Sequence, residues 1–232
     1  MLVSPPKVVR SSLVLAAWLV LAGAYLSPVL AGVNQSGRRT GSSSIDGSYA
    51  RLQGHAFNAS SGQCVLYSTL SYNSTGSGRM VQSGIVRCSS GAILTGTCPS
   101  GQVFVERYNG STYYCTPGYS FSNNYQYDAT TYRNGPSSTT FTGQINGASL
   151  SQGGFGLSDN IAGWAWGEAT GGSTCPSSNS GSFFTWQKFD SSSGWSYVTG
   201  SNVHQYAIGM AGAPCWGTIS SPNSQGAFDV DD

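Results

Sequence analysis

The chain of 232 residues holds ten Lys/Arg against nine Asp/Glu; charged residues make up only 8% of it and aromatic residues 12%. So little charge, with a formal net charge of only +1, excludes electrostatic binding of nucleic acid or of an anionic membrane, both of which need a positive surface. The aromatic content and the many β-branched runs exclude a wholly disordered chain and favour packed sheets.

The N-terminal segment is built like a secretory signal. Lys7 and Arg10 are followed by an uninterrupted apolar run from Leu13 to Leu21, then by small-residue sites ending at Ala24 and Ala31. The apolar stretch stops at Ser27-Pro28, short of the roughly 20 residues a membrane-spanning helix needs. Residues 1–31 therefore read as a cleaved signal, with Ala24 as the other cleavage site. The mature protein is expected to be secreted, extracellular, monomeric and free of the membrane. Without Lys7 and Arg10, eight basic residues face nine acidic ones.

Residues 32–47 (GVNQSGRRTGSSSIDG) are polar and Gly/Ser-rich, and read as a flexible leader. Residues 48–232 read as one domain. Alternating or β-branched runs recur at 49–57, 64–72, 79–88, 102–108, 112–115, 125–133, 138–145, 161–169, 182–189, 195–199 and 203–208, with a last strand in the acidic tail from Gly226. Turn signals such as Asn109-Gly110, Asn134-Gly135-Pro136 and Asn146-Gly147 separate them. No helical period appears after the signal. The expected fold is all-β, an antiparallel β-sandwich of two sheets with about four to seven strands each.

Six cysteines, Cys64, Cys88, Cys98, Cys115, Cys175 and Cys215, all follow the signal. In an exported chain an even count reads as disulfides, and six allow fifteen pairings. Cys175–Cys215 is the expected long-range pair, with the other four pairing among themselves. There is no Cys-x-x-Cys, and His55 and His204 are the only histidines. Neither a metal site nor another cofactor is expected.

The same scarcity narrows the chemistry. Neither histidine lies near a Gly-x-Ser-x-Gly elbow, and the cysteines are expected to be oxidised, which disfavours serine and cysteine hydrolases. The chain has two glutamates, Glu106 and Glu168. A carboxylate within a strand ordinarily faces solvent, and Glu106 in Val103-Phe-Val-Glu-Arg-Tyr108 has that reading beside a functional one. In 161–169 a period of two puts Trp164, Trp166 and Glu168 on one face and Gly163, Ala165 and Gly167 on the other. A carboxyl aligned with two indoles is desolvated, which raises its pKa and suits proton transfer. Along 79–87, Met80, Gln82 and Gly84 share a face, and an inward Gln82 needs hydrogen-bond partners.

These segments carry a resemblance. Val81-Gln82-Ser83-Gly84-Ile85 is similar to the Leu-Gln-Thr-Gly-Val strand bearing the catalytic Gln of the glutamic peptidases (eqolisins), and to the Ile-Glu-Ala-Gly-Trp strand of the neprosin peptidases. Trp166-Gly167-Glu168 resembles the Trp-Gly-Gly-Glu strand of neprosin, and 103–118 resembles its strand, turn, aromatic-Cys and Pro-Gly sequence. The resemblance implies a jelly-roll sandwich with a dyad on its concave face. Glu168 would be the general base that activates water and returns a proton to the leaving amine. Gln82 would position that water and donate to the oxyanion, with Glu106, Trp164 and Trp166 supporting or binding the polypeptide substrate. The eqolisin Trp-Val-Gly-Ile-Asp strand has no counterpart in 67–72, and the C-terminal third matches neither group.

Two other functions suit the same residues. Trp164, Trp166 and Gln82 on an open face would bind a glycan by stacking and hydrogen bonding. Alternatively the indoles are core, Glu168 is a buried and satisfied carboxyl, and the protein is structural.

Overall fold

The computed structural model describes residues 33–41, 44–73, 79–94, 98–154, 157, 161–171, 175, 178–200, 202–208 and 216–231. The expected signal, residues 1–31, lies outside them. No helix of the described residues is long and apolar enough to cross a membrane.

Strands are numbered in chain order. A seven-stranded sheet runs β13 (Asn202–Ile208), β1 (Val33–Arg39), β10 (Ile161–Thr170), β3 (Cys64–Asn73), β4 (Met80–Cys88), β5 (Gln102–Tyr108), β6 (Tyr113–Ser120). An eight-stranded sheet runs β14 (Thr218–Ile219), β15 (Phe228–Asp231), β11 (Ser180–Asp190), β2 (Gly47–Ala56), β7 (Tyr127–Arg133), β8 (Thr140–Ile145), β9 (Ala148–Gly154), with β12 (Gly194–Tyr197) also paired to β11. Neighbouring strands pair antiparallel throughout. The fold is the all-β sandwich that the strand pattern predicts.

Strand alternation sorts the side chains. In β2, Ser48, Ala50 and Leu52 are buried while Arg51 and His55 are exposed. The inward residues meet Val65, Tyr67, Ile85, Val103 and Ala165 of the other sheet in the principal core, with Phe183, Trp186 and Phe228. A polar seam crosses that interior: Trp186 Nε1 donates to Ser48 Oγ at 3.1 Å, and Ser48 Oγ lies 2.6 Å from Thr69 Oγ1. Paired in this way, these polar groups avoid the cost of unsatisfied burial.

The seven-stranded sheet is buried on its second face too, and β3 and β10 are buried along their whole lengths. Two apolar clusters cover that outer face. One gathers Cys64, Leu66, Val86, Leu94 and Phe104 with the disulfides Cys64–Cys88 and Cys98–Cys115. The other gathers Leu70, Tyr72, Met80, Trp164 and Trp166, with Tyr108 and Tyr113 against it. The four central cysteines thus pair among themselves, as expected. Cys175 is also disulfide-bonded, and Cys215, its expected partner, lies outside the described residues.

One reading needs correction. Within the supposed flexible leader 32–47, Val33–Arg39 is strand β1, paired with both β10 and β13. Its polar side chains are buried because they find partners: Arg38 donates from Nε and Nη2 to the Ser220 carbonyl at 2.9 and 2.6 Å, and Ser36 Oγ to the Trp216 carbonyl at 3.4 Å. The Gly/Ser-rich β9 was likewise invisible to a search for apolar alternation, since backbone pairing with β8 defines it.

Candidate active site

Four adjacent strands of the seven-stranded sheet carry the polar groups of its covered face. Period two puts Gln82 and Gly84 of β4, Phe104 and Glu106 of β5, and Leu66, Ser68 and Leu70 of β3 on that face. Trp164, Trp166 and Glu168 of β10 share it. Gln82 stands opposite Leu70 on one side and Glu106 on the other.

The amide of Gln82 is fully buried, and each end of it has a partner. Trp166 Nε1 donates to Ser68 Oγ at 3.0 Å, Ser68 Oγ donates to Gln82 Oε1 at 3.1 Å, and Gln82 Nε2 donates to Glu106 Oε2 at 2.5 Å. All the hydrogens in this chain point the same way, so each bond polarises the next. With its oxygen turned to the Ser68 hydroxyl, the amide must present nitrogen to Glu106. Two glycines make room for the arrangement. A Cβ on Gly84 would lie 2.1 Å from the Tyr67 carbonyl oxygen and 2.7 Å from Ser68 Cβ, and one on Gly37 would lie 2.5 Å from Trp166 Cβ.

Both glutamates are buried, Glu106 at 1% and Glu168 at 4% exposure. Glu106 is pushed up to about 8, first by burial and then by the charge of Glu168, against the opposing hydrogen bond from Gln82. Glu168 is pushed up to about 8 by burial, against a hydrogen bond from Gln35. In register, Glu168 pairs with Leu66 while Glu106 lies beyond Gln82 and Leu70. Three inter-strand spacings and four residues separate the carboxylates, roughly 20 Å between Cα atoms on a flat pleated sheet. The charge of Glu168 nonetheless acts on Glu106, and on Tyr113 as well. Tyr113 is held above the ordinary tyrosine range by burial and then by both carboxylates, and its hydroxyl has no hydrogen-bond partner among the described residues. Chemically, the face offers two carboxyls able to hold protons up to neutral pH and one oriented carboxamide donor.

Gln82, Glu106, Glu168, Trp164 and Trp166 thus lie on one face. The solvent-facing reading of Glu106 is wrong, because β5 is an interior strand whose face is covered. Trp164 and Trp166 are 3% and 2% exposed, with ring centroids 5.0 Å apart, so in this state they cannot serve as a stacking platform for a glycan or for any other ligand. Three residues escaped the sequence reading: Ser68, Gln35 and Tyr113. Ser68 was recoverable, since Trp166 and Gln82 both need partners if buried. Gln35 lies in a polar Gly/Ser-rich stretch whose composition masks strand β1.

No protein-family model matches the chain, and no curated protein matches it. Solved structures do. Scytalido-glutamic peptidase with a transition-state analogue inhibitor superposes with a TM-score of 0.58 at 13% identity, over 85% of this chain and 97% of that one. The same peptidase with a peptide-based transition-state analogue gives 0.54 at 12% identity, over 85% and 96%. SCP-B, a member of the eqolisin family of peptidases, in complex with the tripeptide Ala-Ile-His, gives 0.54 at 10% identity, again over 85% and 96%. At these identities the likeness is one of fold: this chain has the glutamic-peptidase sandwich.

Proposed function

We propose that the chain is a secreted endopeptidase of the glutamic-peptidase type, acting in acid on unfolded polypeptide. The observation that carries the proposal is the oriented, buried Gln82 amide on a face that also holds both glutamates of the chain, in a sandwich of that fold. Ionised Glu168 takes a proton from water as the water oxygen attacks the scissile carbonyl carbon. Gln82 Nε2 carries two hydrogens; Glu106 accepts one, and the other is left for the developing oxyanion. The tetrahedral intermediate collapses with loss of the C–N bond, and Glu168 returns its proton to the leaving amine.

These groups are buried in this state, so cleavage requires the face to open. Burial is the first cause of the raised carboxyl values. Admitting water and substrate brings them back toward the ordinary carboxylate range, where Glu168 ionises in mild acid. A second reading rests on the 2.5 Å contact: Glu106, as the direct partner of Gln82, carries the proton transfer instead.

The test is incubation of the mature protein, residues 1–31 removed, with an acid-denatured protein between pH 2 and 6, with a chelator and a thiol blocker present. Cleavage supports the proposal, and an untouched substrate across that range ends it.

A further inference from the structure

The outer face of the eight-stranded sheet is open where that of the seven-stranded sheet is closed. Period two lays two adjacent rows of side chains across it. One contains Gln187, Tyr49, Thr130 and Gln144, on β11, β2, β7 and β8. The next contains Trp195, Phe189 and Tyr132, with Gly47 between the last two. Gly47 puts no side chain between them, and Phe189 and Tyr132 both line the trough, a depression that lies across these rows. The trough encloses about 460 Å³, and a neighbouring depression of about 560 Å³ shares Tyr132 and Phe189 with it.

The aromatic wall is set in place before any ligand arrives. Trp195 packs edge-on against Tyr49, centroids 6.0 Å apart, and tilted on Phe189 at 5.1 Å, yet stays 42% exposed. Gln144 Nε2 donates to Tyr132 Oη at 3.2 Å and to Ser149 Oγ at 3.0 Å, which leaves its carbonyl oxygen to accept from a ligand. Gln187 lies in the same wall. The lining of the first depression contains no Asp, Glu, Lys, Arg or His. The nearest charges are paired, Arg51 with Asp128 at 2.8 Å and Arg133 with Asp46 at 3.2 Å.

This chemistry selects its ligand. A phosphate or an acidic or basic chain would find no countercharge in the first depression, and in the second only Arg133 and Asp46, already paired with each other. A peptide adding as a strand would find no free edge on β2, β7, β8 or β11, which are paired on both sides; among the described residues only the four-residue β12 has an open side, too short to hold an extended segment along the trough. An exposed indole set among half-buried rings, beside neutral amides, suits a molecule with apolar ring faces and many hydroxyls. Two adjoining depressions that share Tyr132 and Phe189 suit a chain of such rings. We propose that this trough binds a neutral oligosaccharide, with Trp195 as the stacking platform and Gln187 and Gln144 bonding to sugar hydroxyls. The site lies on the opposite sheet from the candidate active site and does not depend on peptidase activity.

The experiment is titration of the mature protein, by calorimetry and tryptophan fluorescence, with neutral hexasaccharides of glucose, xylose, mannose and N-acetylglucosamine, and with an oligogalacturonate as the anionic control. At least one neutral hexasaccharide is expected to bind. Trp195→Ala should weaken binding about ten-fold or more, and Gln187→Ala by about five-fold. Both variants should keep the wild-type melting temperature to within a few degrees, and any proteolytic activity unchanged. No binding by any neutral sugar, equal binding by the anionic control, or unchanged affinity in both variants overturns the proposal. So does a dimer lost in Trp195→Ala without sugar binding, which would make this face a self-interface.

Discussion

A carboxyl whose pKa rises on folding keeps a proton that the unfolded chain surrenders. Its contribution to stability is complete below the unfolded value and is lost as pH rises through the folded one. Glu106 and Glu168 both rise from 4.5 to about 8. Each unit is worth about 1.4 kcal/mol, so each carboxyl should cost the fold on the order of 4 kcal/mol between pH 4 and pH 8. For a domain of this size that corresponds to a fall in Tm of roughly 10 °C per carboxyl. The perturbation is Glu106→Gln, Glu168→Gln and the double variant. A neutral amide mimics the protonated acid, and its oxygen can still accept from Gln82 or from Gln35. Thermal unfolding of the mature protein at half-unit steps from pH 4 to 8 should show a steep decline for wild type and a nearly flat line for the double variant. Removing the charge of Glu168 should also bring the Glu106 transition to lower pH, because that charge is one of its causes. A double variant that declines as steeply as wild type would show that water reaches both carboxyls, and the reasoning from burial would be wrong.

Three further outcomes follow from the geometry. The Cys64–Cys88 bond closes a separation of 24 residues, so the double Ala variant should lose about 3 kcal/mol, read by chemical denaturation. Intact protein under non-reducing conditions should show no alkylatable thiol, since none of the described cysteines is free. Gly84→Ala would put a Cβ 2.1 Å from a backbone oxygen; it should destabilise by about 3 kcal/mol or more and cut any activity through displacement of Ser68 and Gln82.

Much of the strand content was legible, because turn residues punctuate the chain and Trp164, Trp166 and Glu168 alternate with Gly and Ala. That the two tryptophans and the glutamate share a face could be read from β10 alone. That the face is covered could not. Alternation separates two faces without saying which meets solvent, and β10 is buried on both, with Gly and Ala packed on one side and indoles on the other. The contact between Gln82 and Glu106 depends on the register of β4 against β5, which a single segment does not encode. β1 pairs with β10 across more than a hundred residues, and its polar side chains mask it locally. The aromatic trough has the same origin: Trp195, Phe189 and Tyr132 come from three segments that only the sheet order aligns.

The central claim is that a glutamate on the covered face of the seven-stranded sheet hydrolyses peptide bonds with the help of Gln82. The most direct measurement is the initial rate at which the mature protein and its Glu168→Gln, Glu106→Gln and Gln82→Ala variants cleave an acid-denatured protein at pH 4, with folding checked by circular dichroism. The account predicts cleavage by wild type, background rates for Glu168→Gln, a loss of about 10²–10³ for Gln82→Ala, and a much smaller loss for Glu106→Gln. Background rates for Glu106→Gln with Glu168→Gln still active would move the proton transfer to Glu106. Cleavage by all three variants at the wild-type rate would contradict the account outright.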